Sequence, residues 1–248
     1  MNIPLIIPYY NQPTYAHNLI NWWYWYGGGR VFLLDNASNT VPHTARDIEI
    51  VRFERNTARA NLASFLRTLT DDYYVISDPD IMPHPSCPPD FLDILHHAVA
   101  VEGLHHAGLA LETDIPEWVP PIIRDDALRN EASFKDPSAA FTMDYHGRKI
   151  PGHRAPIDTT FALYSRANGG WQSPMPGPAW SHSARFFRAF HLGWYIPEHP
   201  NAEMDHYFKT CNGPHHHHGV TLRNTYHPAK YADRYHAEHA KSKPEDVV

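Results

Sequence analysis

The sequence predicts an α/β protein with a mostly parallel sheet and helices on both faces, folded as a single domain. Three observations lead there. Short runs rich in Ile, Leu, Val and Tyr alternate with longer stretches whose apolar residues recur at i, i+3, i+4 and i+7. That rhythm of strand, helix, strand holds through Leu111 and is the pattern of a parallel sheet. No Ser/Gly-rich linker divides the 248 residues, a length that suits one large domain or two small ones and buries a sizeable core without disulfide or zinc staples.

Each element has its own signal. Ile3–Ile7 is a buried-strand run closed by Pro8. Pro13 opens a helix that runs to Tyr26, where Gly27, Gly28 and Gly29 stop it. Arg30–Leu34 and Ile48–Phe53 are the second and third strands. Ala60–Leu69 is a helix with Leu62, Phe65, Leu66 and Leu69 on one face. Tyr73–Ser77 is the fourth strand, Asp90–Glu102 a helix behind Pro88 and Pro89, and His106–Leu111 the fifth strand. Beyond residue 112 the pattern loosens. Ala139–Tyr145 and Thr160–Tyr164 are strands, Gly169–Trp180 a loop, Asn201–Thr210 a helix, and Ala229–Lys241 a helix in the tail.

Composition narrows the function classes. The chain is 42% hydrophobic and 19% charged, which excludes a mainly disordered protein. A net charge of −6 argues against a general polyanion binder. Cys87 and Cys211 make no disulfide framework and lack CxxC spacing, so a reduced, cytoplasmic protein is expected. The start, MNIPLIIPYYNQ, has no basic segment and too short an apolar run for a signal peptide, and no stretch is apolar enough for a membrane span.

In open α/β sheets ligands bind outside the carboxyl ends of the strands. Three polar clusters fall there: Pro8, Tyr9, Tyr10 and Asn11; Asp35 and Asn36; and Ser77, Asp78 and Asp80. Asp78 and Asp80 are candidate metal ligands, because two carboxylates beside a strand end suit Mg²⁺ or Mn²⁺ together with substrate phosphates. Asp-Pro-Asp is equally good turn chemistry. Asp35 offers an acceptor for a ribose hydroxyl or a base N–H, or caps a turn. Arg55 and Arg59 are placed to meet phosphate, or form a solvated helix face. Trp22–Tyr26 reads first as a buried helix and second as a stacking surface.

IPYYNQ, LLDNAS and ISDPDI, followed by APIDTTFALYSR and ARFFRAFHLGWYIPEHPNAEMDHYF, resemble the small GT-A glycosyltransferases of large DNA viruses and bacteria, such as the chlorella-virus rhamnosyltransferase domain. The resemblance covers residues 3–210 in order. It implies a GT-A-like fold in which residues 1–112 bind a nucleotide sugar, residues 113–228 bind the acceptor and residues 229–248 form a tail. It places Tyr9, Asn11 and Asp35 near the nucleoside, and the metal at Asp78 and Asp80, with Asp80 the more direct ligand. The activity implied is metal-dependent, inverting transfer from a nucleoside-diphosphate sugar, UDP-linked first. The acceptor is a glycan or a hydroxymethylated base of phage or viral DNA. An inverting transferase needs a base for the acceptor hydroxyl. Glu203, Asp158 and Asp205 are the candidates in that order, and first-turn helix stabilisation is the alternative role for Glu203 and Asp205. Acceptor binding is expected around Trp180, His182, Arg185, His191, Trp194 and Tyr195. A basic face from Arg124, Arg148, Lys149, Arg154, Arg185 and Arg188 would favour DNA. His215–His218 or His227 offer a further metal ligand, or a solvated loop. A homo-oligomer is compatible with all of this. The other classes are a sugar-phosphate nucleotidyltransferase, which the glycine-free turn after the first strand disfavours, and a non-catalytic carbohydrate-binding protein.

Overall fold

A computed structural model of the chain describes residues 2–132, 139–157, 159–172, 183–195 and 201–210. Its elements in order are β1 (Leu5–Tyr9), α1 (Pro13–Trp25), β2 (Val31–Asp35), β3 (Glu49–Arg52), α2 (Arg59–Leu66), β4 (Tyr73–Ile76), β5 (Ile81–Pro83), α3 (Phe91–Ala100), β6 (His106–Leu111), α4 (Pro121–Ala132), β7 (Ala140–Tyr145), β8 (Arg148–His153), β9 (Ala162–Ser165), β10 (Ser183–His191) and α5 (Ala202–Thr210). The expected α/β class is observed, and all five strands expected before residue 112 are present. Pro8 does not close the first strand but lies within it, paired with Leu34.

The strands form one sheet in the order β3-β2-β1-β4-β9-β6-β10-β8-β7, with β5 also on β10. β3, β2, β1 and β4 are parallel. β9 inserts antiparallel between β4 and β6, and β10 runs parallel to β6. The carboxyl ends of β1, β2, β3, β4, β6 and β10 therefore share one edge of the sheet.

Alternation along the central strands sorts side chains onto two faces. Leu5, Ile7 and Tyr9 pack with α1 and α3, while Ile6, Leu34 and Ile76 pack with Leu62 of α2 and with Trp171. In α1 the residues Ala16, Leu19, Ile20 and Trp23 are buried, which is the i, i+3, i+4, i+7 stripe of an amphipathic helix. The aromatic run mostly follows its buried reading. Trp23 is enclosed and its Nε1 donates to the Gly29 carbonyl at 2.8 Å, while Trp22 packs on Phe91 and Phe161. Trp25 is the exception at 76% exposed. Gly28 permits this closeness, since a Cβ there would stand 2.2 Å from the Trp23 ring.

Four elements escape the sequence pattern. β5 is three residues long. α4 carries Arg, Asp and Glu through most of its length. β8 contains Pro151 and pairs with β7 around His146 and Gly147, both at positive φ, the turn geometry of a two-residue hairpin. β10 is broken by a register shift between Arg185 and Arg188, which hides its alternation. The tail helix expected at 229–241 lies outside the described residues.

Candidate active site

At the ends of β1 and β2 the polar groups bind one another. The Asp35 carboxylate is fully buried; one oxygen accepts the Ser38 N–H at 2.8 Å and the other accepts Arg52 Nη1 at 2.8 Å. Arg52 Nη2 donates to the Ser38 carbonyl at 2.9 Å. Asn11, also buried, receives the Asn39 N–H on its Oδ1 at 2.8 Å, and its own N–H donates to Ser38 Oγ at 3.0 Å. Tyr9 is turned inward and donates its hydroxyl to the Thr40 carbonyl at 2.6 Å. Burial, with the Asp35 charge adding to it, pushes that phenol well above its ordinary range. Asn36 donates to the Tyr9 and Leu34 carbonyls and accepts from Asn61 Nδ2 at 2.7 Å. Asp35 thus caps its own loop and offers no carboxylate edge to a nucleoside.

The same edge holds unusual backbone. Asn11, Ala37, Ala58 and Phe161 all have φ between 37° and 62°; Asn11 and Ala37 lie two residues past the ends of β1 and β2, Phe161 precedes β9 beside the end of β4, and Ala58 precedes α2. Asn tolerates this conformation, but for Ala and Phe it costs roughly 1–3 kcal/mol each. Strain gathered at one edge of a sheet is a mark of a site rather than of a scaffold.

At the end of β4 the arrangement differs. Asp78 N–H donates to the Thr159 carbonyl at 2.6 Å, and Thr159 Oγ1 donates to Asp78 Oδ2 at 2.7 Å. Pairing of β5 with β10 sets Ile81 opposite His191 and brings the preceding Asp80 beside it. Asp80 is 8% exposed, and its carboxylate accepts no hydrogen bond among the described residues; His191 Nδ1 is 3.8 Å from its Oδ2. The His191 ring stacks on Trp194, centroids 4.8 Å apart. Gly193 passes close enough that a Cβ there would lie 2.6 Å from Asp80 Oδ2. A buried carboxylate without donors is costly unless a cation or ligand meets it.

α5 crosses over the end of β1. Glu203 accepts the Thr14 N–H on both carboxylate oxygens, at 3.0 and 3.2 Å, and so caps the start of α1. Tyr10 donates its hydroxyl to the Thr210 carbonyl at 3.1 Å, and Asn11 Nδ2 donates to Thr210 Oγ1 at 3.1 Å. Tyr15 lies between the two acidic groups: burial, then the charges of Asp80 and Glu203, push its phenol far up. Asp205 shares the first turn with Glu203.

The remaining expected residues separate. Ser77 is buried, with its Oγ on the Asp78 carbonyl. Arg55 and Arg59 are exposed beyond the end of β3. Arg185 does not face an acceptor: its guanidinium is 4% exposed, paired with Glu131 at 2.7 Å and with the Pro156 carbonyl. Trp194 is enclosed and forms no open platform, and Tyr195 is half-buried with its ring edge against Phe190. Four of the six residues of the expected basic face have carboxylate partners. Arg148 pairs with Asp90, Lys149 with Asp144, Arg185 with Glu131, and Arg188 with Glu112. Asp158, Trp180, His182, His215–His218 and His227 lie outside the described residues.

Sequence reasoning passed over Thr159, Gly193, Arg52 and Ser38. Thr159 and Gly193 lie beside the two aspartates from segments flanking strands far along the chain, and only HLGW, a glycine among bulky residues, carried a signal. Among the described residues no three His, Cys, Asp or Glu side chains form a metal cage. A Mg²⁺ or Mn²⁺ held by one or two carboxylates and otherwise by phosphate and water needs none. The open Asp80 carboxylate fits such an ion, with Asp78 beside it.

No protein-family model and no curated protein matches the chain. Solved structures do. Glucosyl-3-phosphoglycerate synthase from Mycobacterium tuberculosis in complex with phosphoglyceric acid matches at 16% identity and a TM-score of 0.41, over 67% of this chain and 57% of that one. The same synthase with Mn²⁺, UDP and phosphoglyceric acid matches at 17% identity and 0.39, over 67% and 56%. A further mycobacterial protein matches at 14% identity and 0.45, over 77% and 67%. The match thus takes in little more than half of the synthase, and at these values the likeness carries no activity across to this chain.

Proposed function

We propose that the chain is a metal-dependent, inverting glycosyltransferase of the GT-A kind, which moves a sugar from a nucleoside diphosphate to an acceptor hydroxyl. The observation that carries this reading is Asp80: a nearly buried carboxylate at the carboxyl edge of the sheet with no hydrogen-bond donor among the described residues. Ala37 and Phe161, both strained and both at this edge, support it.

Asp80, with Asp78 beside it, would hold Mn²⁺ or Mg²⁺, which neutralises the departing diphosphate. The first two strand ends supply a rigid polar wall for the nucleoside, built from the 35–40 loop and Asn11 rather than from the Asp35 carboxylate. Exposed Arg55 and Arg59 stand where the donor's phosphates can be drawn in. A carboxylate takes the acceptor proton as the acceptor oxygen bonds to the anomeric carbon and the bond to diphosphate breaks. Glu203 serves as that base by exchanging its Thr14 N–H for the acceptor hydroxyl, with Asp158 and then Asp205 as the next candidates for the role. His191 and Tyr195 belong to the acceptor side. A glycan is favoured over modified DNA, because Arg148, Lys149, Arg185 and Arg188 already have carboxylate partners.

The test is donor hydrolysis and transfer with UDP-, GDP-, CDP-, ADP- and dTDP-sugars in Mn²⁺ or Mg²⁺. Turnover should need the cation, and Asp80→Ala should lower it at least about a hundredfold. Full turnover by Asp80→Ala, or by the wild-type chain in chelator, overturns the reading.

A further inference from the structure

Asp78 is held by a residue that lies just ahead of a strand far along the chain. Resting on the function proposed above, we infer that Thr159 is a positioning residue for donor binding, fixing the Asp78 carboxylate toward the diphosphate and its cation. Thr159 holds Asp78 twice. Its carbonyl accepts the Asp78 N–H at 2.6 Å, and its hydroxyl donates to Asp78 Oδ2 at 2.7 Å.

The sheet makes this pairing possible. β9 runs antiparallel beside β4 with Ala162 opposite Ile76, so the residues before Ala162 lie alongside those after Ile76. Phe161 takes a φ of 59° and is wholly buried among the aromatic side chains Trp22, Trp23 and Phe91. Its carbonyl accepts the Leu109 N–H. The turn that presents Thr159 is therefore anchored at a strained, packed residue. A hydroxyl that donates to one oxygen of a half-buried carboxylate limits its rotation and so fixes the direction in which the carboxylate points. Preorganisation of this kind is what a second layer of residues supplies to a cation-binding carboxylate.

Calorimetry of UDP, GDP, CDP, ADP and dTDP with Mn²⁺ against the full chain tests this, using whichever nucleotide the wild-type chain binds. Thr159→Val keeps shape and loses the hydroxyl; it should weaken nucleotide–Mn²⁺ binding roughly tenfold or more, the worth of one hydrogen bond to a charged group. Thr159→Ser should bind within roughly twofold of wild type, a rescue that a purely packing role would not give. In turnover the loss should fall on the donor KM more than on kcat. Wild-type affinity in Thr159→Val, or equal weakness in Thr159→Ser, overturns the proposal and leaves the glycosyltransferase reading standing. If Thr159→Val fails to fold, Thr159→Ala takes its place; failure of both to fold makes the hydroxyl a fold determinant and also overturns the proposal. Absence of any nucleotide–Mn²⁺ binding in the wild-type chain overturns both.

Discussion

Asp35 and Asp80 are both acidic residues at the ends of parallel strands, and both are nearly lost to solvent. Around Asp35 the polar groups bind one another: Ser38, Arg52, Asn11 and Asn39 are joined to it by hydrogen bonds, directly or through one another, and the neighbouring Asn36 is bonded to Asn61. Around Asp80 the one ion-pair candidate among the described residues is the His191 imidazole at 3.8 Å, and a glycine backbone makes room for the carboxylate. A carboxylate whose hydrogen bonds are filled from its own loop holds that loop; one that accepts no hydrogen bond among the described residues is the candidate to meet a ligand. Substitutions at the two should therefore have opposite signatures, stability at one and activity at the other.

The largest stability effect belongs to neither aspartate. Arg185 and Glu131 form an ion pair in which both side chains are 4% exposed. Arg185→Ala should cost about 3–5 kcal/mol, because it leaves a buried carboxylate unpaired. Urea unfolding measures it, and a loss of acceptor selectivity with unchanged stability would return Arg185 to the acceptor site. Asp35→Ala comes next, at about 2–3 kcal/mol, since it strips the partner from a buried N–H and from Arg52. If Asp35→Ala instead kept its stability and lost nucleotide affinity, the contrast drawn here would fail.

His106 extends the comparison to the opposite edge of the sheet. It is buried and stacked on Tyr164. Burial, with the nearby His105 and Arg185 charges, pushes it down to about 3. The folded value lies below the unfolded one of roughly 6.5, so protonation favours unfolding. Its stabilising contribution is complete above the unfolded value and drains as pH falls toward the folded one. Between pH 7 and pH 5 the loss should be about 2 kcal/mol. His106→Phe should flatten that acid limb in a series of unfolding curves and leave donor turnover at neutral pH untouched.

Glu203→Gln separates two roles that share one side chain. The amide oxygen still accepts the Thr14 N–H, so stability should fall by less than about 1 kcal/mol; transfer should fall sharply, because an amide takes no proton at neutral pH. Equal turnover would confine Glu203 to capping α1. The smallest expected stability change is at Asp80 itself. Asp80→Ala removes a carboxylate without donors among the described residues and should leave the unfolding midpoint unchanged or slightly raised, the opposite of Asp35→Ala.

The fold of the first half was legible because its central strands β1, β2 and β4 are buried on both faces and α1 and α3 each carry one apolar stripe. LIIPY, VFLLD and the Ala16–Leu19–Ile20–Trp23 set declare themselves in isolation. β8 and β10 did not, since a proline in one and a register shift in the other erase the period-2 signal. At the site, the position of Asp80 at a strand end was visible in the residue order. That Asp35 is engaged by Arg52 was not, because the two are 17 residues apart and meet only through the pairing of β2 with β3.

What the sequence determined by itself is the class of the sheet, the identity of its central strands and the clustering of polar residues at their carboxyl ends. These follow from local periodicity and from the chemistry of single residues. The tertiary structure alone decided which of those polar residues are satisfied. Hydrogen-bond partners such as Thr159 for Asp78 come from segments far apart in the chain, and only the pairing of the strands beside them brings them within reach of one another.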